Sequence, residues 1–179
     1  MEIFEGDSAQ VIEMITNGEA EVGFCGMEPE NTLKCRCIPF YRDQLVVMTP
    51  NNEKFRVIAG QEFESEYFYE EPLIMREAGS GTRREAERCL LEAGVDIERL
   101  RIAAVISNQE AIKKTVAGGM GISVISEAAI KDYLEEGKAL GFSIRGLSFS
   151  RNLNIITSKE FKLSGNANKL AKYVRKYYL

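Results

Sequence analysis

Apolar positions along the chain recur in two rhythms. One is the three-to-four spacing of a helix face and the other is the short unbroken run of a buried strand. "EIFEG" reads as a short extended opening. In the stretch that follows, Val11, Ile12 and Ile15 fall at helical spacing. Asp7 with Gln10 three residues on makes a capping box there, and Gly18 suits the stop. "AEVGFCG" is then a buried strand ending at Gly26. A polar loop turns into an edge strand through Cys35–Cys37, and Leu45–Met48 form a strong β run ended by Pro50. Residues 53–72 mix aromatics with acids and suggest only a short helix near Gln61–Ser65.

From Leu73 the alternation becomes regular. "LIM" (73–75) is a short strand. Thr82 and Glu85 read as a capping box for a helix whose inner face is Ala86, Cys89, Leu90 and Ala93, closed by Gly94. "RIAAVIS" is the next strand. Ser107 and Glu110 read as a second capping box, with Ala111, Ile112 and Val116 as the buried stripe and Gly118–Gly119 as the end. "GISVIS" is a strand, and a helix follows with Ile130, Tyr133 and Leu134 on its apolar side. "GFSIRGLSF" and "NLNIITSK" are two more strands. Ser164 then caps a last helix that turns Leu170, Val174 and Tyr177 inward. Strands alternating with three-turn helices predict an α/β fold with parallel sheets. In such sheets ligands gather beyond the carboxyl ends of the strands, where helix N-termini point.

Composition narrows the chemistry. The 179 residues are 45% hydrophobic, enough for one large domain or two small lobes with a true core. The net charge is −4 and the only basic cluster is the short tail, so phosphate-backbone binding by this chain is not expected. There is no histidine, which removes Ser-His-Asp and Cys-His catalysis and the usual imidazole metal ligands. Cys25, Cys35, Cys37 and Cys89 are read as structural thiols of a reducing compartment. Cys35 and Cys37 are expected to point to opposite faces and so not to converge on a metal. No metal and no cofactor is expected. No apolar run is long enough to cross a bilayer and no leader is visible, so the expectation is a cytoplasmic chain.

One stretch stands out for binding. In Gly79-Ser80-Gly81-Thr82, glycines let the backbone approach a ligand. Helix-start amides and two hydroxyls could then hold a carboxylate, sulfate or phosphate. It is neither a dinucleotide fingerprint nor a Walker loop. Ser107 and Asn108 pose the same choice between helix cap and ligand contact, and Gly26 could allow close approach or be a plain turn. Arg76 and Arg83 could pair with an anion or with neighbouring acids. The acidic stretch Glu62–Glu71 reads as a solvated face. No carboxylate couple stands out for acid/base work.

These stretches together resemble the effector-binding domain of LysR-type transcriptional regulators. The family pattern R-E-x-G-S-G-T-R is matched from Arg76 to Arg83. The family's N-x-E-A-I-K followed by G-x-G-I-S is matched by Asn108, Glu110–Lys113, Gly119 and Gly121–Ser123. The resemblance implies a two-lobed, type 2 periplasmic-binding-protein-like fold, each lobe a mostly parallel sheet flanked by helices. Residues 1–44 with 157–179 would form one lobe and 45–156 the other, joined by crossover strands at Asp43–Met48 and Arg151–Thr157. It implies no catalysis. The implied role is sensing of a small, anionic metabolite in the interlobe cleft by Gly26, Gly79, Ser80, Gly81, Thr82, Ser107 and Asn108. Homodimers or higher homo-oligomers would form, touching DNA only through a helix-turn-helix domain absent from this chain, with no membrane partner. The family's first strand and helix are also not found in the sequence, so an N-terminal truncation is expected. The alternatives are a solute-binding protein of a transporter and an enzyme on the same fold.

Overall fold

The structure is a computed structural model that describes residues 2–30, 33–147 and 149–178. Its elements in chain order are α1 (Ser8–Asn17), β1 (Val22–Cys25), β2 (Cys35–Pro50), α2 (Glu53–Arg56), α3 (Tyr67–Glu70), β3 (Leu73–Met75) and α4 (Gly81–Glu92). After a 3₁₀ turn at Ile97–Arg99 come β4 (Ile102–Val105), α5 (Gln109–Ala117), β5 (Ser123–Ser126), α6 (Glu127–Glu135), β6 (Ala139–Phe142), β7 (Ser150–Ser158) and α7 (Gly165–Tyr178). The fold is α/β, as the periodicity predicts.

The chain divides into two compact units. The first gathers residues 1–42, Gly79–Gly81 and 151–179, and the second residues 43–78 and 82–150. β1 pairs antiparallel with β7, with Cys25 opposite Asn154. In the second unit the later part of β2 pairs antiparallel with β5 and β6. Among the described residues, parallel pairing is recorded for β3·β4 and for two isolated bridges, Phe63 with Ile144 and Leu73 with Ile122. The expectation of mostly parallel sheets therefore overreaches. Alternation with helices sets the direction of β3, β4 and β5, but β2 follows β1 with no helix between them, is followed only by the one-turn α2, and runs against β5 and β6.

The second unit has two buried clusters. Phe55, Phe63, Phe68, Leu73, Leu90 and Ile122 lead one, and Met48, Ile74, Ile112, Val116, Ile125 and Ile130 lead the other. The core of the first unit is small: Ile15, Cys25, Cys35 and Ile156, with Val11, Ile12, Ala20 and Cys37 packed on them. Cys35 and Cys37 both lie in β2 and, being two residues apart, share one of its faces. The expectation that they point to opposite faces is thus corrected. Among the described residues no group of three or more Cys, Asp and Glu side chains is arranged to hold a metal. Burial pushes the Cys37 thiol up to about 11 and the Cys89 thiol up to about 12, as inert packing thiols require.

Other local expectations are also corrected. Residues 2–6 form no strand. Gln61–Ser65 is not helical; Phe63 instead bridges to Ile144, and the short helices flank it at α2 and α3. β2 runs unbroken through Pro39 where the sequence suggests two separate strands. "GFSIRGLSF" is a strand only through Phe142, and Ser148 within it lies outside the described residues. The last helix is capped by Ser164, whose Oγ accepts the Ala167 amide at 3.3 Å. No side chain of that helix is buried, however, and Tyr177 is 71% exposed rather than inward.

Candidate functional site

In the second unit the parallel register of β3 and β4 sets Met75 beside Val105, so both strands end at one edge. The bridge of Leu73 to Ile122 aligns the segment leading into β5 in the same direction. Each of these strands leads on to a helix. The N-termini of α4, α5 and α6 therefore emerge at the carboxyl edge of one small parallel array, where their unpaired amides favour negative charge. Thr82 lies in the first turn of α4, 4% exposed. Ser107 and Asn108 precede α5 and are both exposed.

The caps differ from the sequence reading. Helix α4 already begins at Gly81, so Thr82 is inside the helix and not its cap. Glu85 takes the Arg88 guanidinium at 2.6 Å. At α5 the cap is Asn108, whose Oδ1 accepts the Ala111 amide at 2.9 Å, and not Ser107. Glu110 turns instead to Lys113 at 2.6 Å. The Ser107 hydroxyl is left with no capping duty. Lys113, 3% exposed, also donates to the Ala129 carbonyl at 3.0 Å and to Asp132 at 3.1 Å. It thereby ties α5 to α6 and fixes the spacing of two of the three helix tips.

Sequence reading missed the third tip. Ser126 caps α6 by position, yet its hydroxyl donates to the buried carboxylate of Asp43 at 2.6 Å. No signal in the sequence points to this bond, since Asp43 lies in the middle of β2 between Arg42 and Gln44. Arg76 and Arg83 are engaged locally. Arg76 holds Glu77 with both guanidinium nitrogens at 2.8 and 2.7 Å, and Arg83 holds Glu87 at 2.7 Å. Burial opposes the charge on Glu77, but the Arg76 bonds outweigh it and hold that carboxyl below its usual range.

In the first unit Gly79, Ser80 and Gly81 lie against the start of α1. Asp7 and Gln10 form the capping box read from the sequence. The Gly79 carbonyl accepts the Ala9 amide at 3.2 Å, and the Gly81 amide donates to the Ser8 hydroxyl at 3.3 Å. The fit demands glycine. A Cβ on Gly79 would stand 2.4 Å from the Asp7 carboxylate, and one on Gly81 would stand 2.5 Å from the Gly26 carbonyl. A Cβ on Gly26 would stand 2.4 Å from the Arg151 guanidinium. Gly26, Gly79 and Gly81 are thus brought together, and Ser80 between them is 3% exposed. Much of the α1 tip is taken by the chain's own carbonyl and by Asp7.

Comparison with known proteins places this geometry. A family model described as the LysR substrate binding domain matches residues 1–178. The transcriptional activator CmpR of Synechocystis sp. is 30% identical over 159 residues, 89% of this chain and 50% of that protein. The transcriptional regulator CysL of Bacillus subtilis is 28% identical over 160 residues, 88% of this chain and 51% of that protein. The chain thus spans about half the length of the curated relatives it matches. Among solved structures, the regulatory domain of Synechocystis CcmR in complex with 2-PG superposes with a TM-score of 0.82 at 25% identity, over 96% of this chain and 80% of that one. The effector binding domain of QuiR in complex with shikimate superposes with a TM-score of 0.83 at 17% identity, over 98% and 79%, a likeness of fold. These relatives are named as regulators and not as enzymes.

Proposed function

The chain belongs to the family of LysR substrate binding domains, and from that premise we propose that it is the effector-sensing and dimerising part of a transcription regulator of the cytoplasm, responsive to a small anionic metabolite. In the whole protein a helix-turn-helix domain would carry the DNA contact. Within the second unit the metabolite is received by Thr82, Ser107 and Asn108. Within the first it is received by Gly26, Gly79, Ser80 and Gly81. The family's two lobes, 1–44 with 157–179 and 45–156, belong to the same proposal. What supports it most is the carboxyl edge of the β3, β4 and β5 array in the second unit, with α4, α5 and α6 each following one of those strands. Helix-start amides, with the Thr82 and Ser107 hydroxyl groups beside them, suit a compact acid and supply no base or nucleophile for a reaction on it.

Regulation then follows from linkage. A ligand shifts the balance between two arrangements only by the difference in its affinity for them. Titration calorimetry of the chain with a panel of small carboxylates, phosphates and sulfate tests the reading, beginning with 2-PG and shikimate. One member of the panel binds, and at a hundredfold excess over its Kd it stabilises the fold by about 2.7 kcal/mol. Thr82→Ala weakens that ligand about tenfold through the lost hydroxyl contact. A panel with no binder, or a Thr82→Ala protein that binds as the parent does, defeats the assignment.

A further inference from the structure

In the second unit most cations are held by acids. Lys54 meets Glu71 at 2.6 Å, Arg83 meets Glu87 at 2.7 Å, Lys113 meets Glu110 at 2.6 Å and Arg145 meets Glu64 at 2.7 Å. Helix α7 of the first unit is different. It carries Lys169, Lys172, Arg175 and Lys176 and no aspartate or glutamate. All four side chains are exposed, and among the described residues none of them has an ion pair.

The spacing gathers these charges on one side. At 3.6 residues per turn, Lys169, Lys172 and Lys176 fall within an arc of about 60°. They stand opposite Ala167, Leu170, Ala171 and Val174, the half-buried side of the helix. Both ends of α7 are anchored. The Ser164 hydroxyl meets Glu21 at 3.0 Å, and the Tyr178 ring packs edge-on to Phe40 at 5.5 Å and to Tyr41 at 5.3 Å. Tyr173 and Tyr177, with rings stacked 6.3 Å apart, border the lysines and are 66% and 71% exposed. The carbonyl end of a helix attracts cations, which accounts for Arg175 and Lys176 in the last turn. Lys169 and Lys172 lie too far from that end for the same account. The pairs Lys169–Lys172 and Lys172–Lys176 also sit at the three- and four-residue spacings where like charges destabilise a helix.

We propose that this face of α7 is an auxiliary contact for the phosphate backbone of duplex DNA, separate from the contact assigned above to a helix-turn-helix domain. The choice of DNA as the polyanion rests on the regulator reading; the effector site plays no part in it. Three lysines over about 10 Å of helix axis match about three phosphates of one strand, spaced about 3.4 Å apart along the duplex. The tyrosine hydroxyls can donate to phosphate beside them, and a contact of this kind positions DNA without reading a base. The net charge of −4 argues against phosphate binding by the chain as a whole, but the charge is unevenly placed, and α7 has four cations with no acid among them. A bilayer surface suits the helix less well. A helix lying in a membrane buries its apolar face, whereas the apolar side of α7 is already half covered and points away from the lysines.

The test is fluorescence anisotropy of a labelled duplex of arbitrary sequence titrated with the chain. Between about 50 and about 200 mM salt the affinity falls about fortyfold, the dependence expected for three neutralised phosphates. The triple variant Lys169→Gln, Lys172→Gln, Lys176→Gln loses that dependence, and the corresponding triple arginine variant keeps it. The single variant Lys172→Gln removes about one third of the logarithmic slope, a readout that survives if the triple variant folds poorly. The control Lys131→Gln, Lys138→Gln, at two lysines paired with glutamates in the second unit, binds as the parent does. Three results overturn the proposal: no binding at the lowest salt, glutamine variants as salt-sensitive as the parent, or equal displacement of the duplex by polyglutamate or by vesicles of anionic phospholipid. The last would make α7 a site for an acidic protein or a membrane. No small acid enters these measurements, so failure here and failure of the effector reading remain distinguishable.

Discussion

The two units differ sharply in what holds them. The second has two clusters of large side chains removed from water, with the rings of Phe55, Tyr67, Phe68 and Phe142 all in contact with Phe63. The first rests on Ile15, Cys25, Cys35 and Ile156, and Phe24, Phe161, Tyr173, Tyr177 and Tyr178 all keep more than a third of their surface exposed. Burial of apolar surface is the main favourable term in folding. The second unit is therefore the rigid frame of the chain, and the first is the more easily opened part.

The sharpest way to break this comparison is a pair of core truncations. Phe63→Ala costs about 3–5 kcal/mol, and Ile15→Ala costs about 2 kcal/mol because a thin core collapses around the gap. Urea unfolding gives both values. Hydrogen exchange of the parent chain shows α1 amides exchanging before those of β5. Equal losses, or α1 outlasting β5, would remove the distinction.

A smaller effect concerns the lysine that ties α5 to α6. Burial opposes the charge on Lys113, but Glu110 and Asp132 outweigh it and raise its pKa. For Asp132 the slight desolvation is likewise outweighed by Lys113, and its pKa is lowered. The raised lysine contributes stability that is whole below its unfolded pKa, near 10.5, and fades as pH rises through the folded value. The lowered aspartate contributes above its unfolded pKa, near 3.8, and its share is lost as pH falls through the folded value. Asp132→Asn accordingly lowers Tm at pH 7, and the difference from the parent shrinks as pH falls below 3.8 through the folded value. Scanning calorimetry across that range checks the sign. The smallest effect belongs to the last helix. Tyr177→Ser changes stability by less than about 0.5 kcal/mol, measured by the same urea titration.

Legibility from the sequence follows the same divide. The second unit was read well where period, cap and glycine agreed, as in the stripes of α4, α5 and α6. The chemical identity of a cap was legible, but its exact position was not. Helix α4 starts ahead of Thr82, and the cap of α5 is Asn108 rather than Ser107, because serine, threonine and asparagine all cap, and the turn geometry chooses among neighbours. Tyr177 was misplaced because helical spacing tells which residues share a face and not whether anything covers that face. Asp43 was invisible for another reason: a polar residue inside a strand gives no sign of its partner until the pairing is known.

The route of the backbone has a consequence for biosynthesis. Residues 43–150 form one continuous stretch that closes on itself, save for the three-residue excursion at Gly79–Gly81. The first unit instead takes its material from both sides of that stretch. On the ribosome the middle portion is complete and free to fold as soon as residue 150 emerges. The earlier segment must wait for β7 and α7 before its sheet can form. The nascent chain thus spends that interval with a finished frame and an unpaired β1, and translation speed through β7 and α7 sets how long the exposed strand is open to a chaperone or to a neighbouring nascent chain.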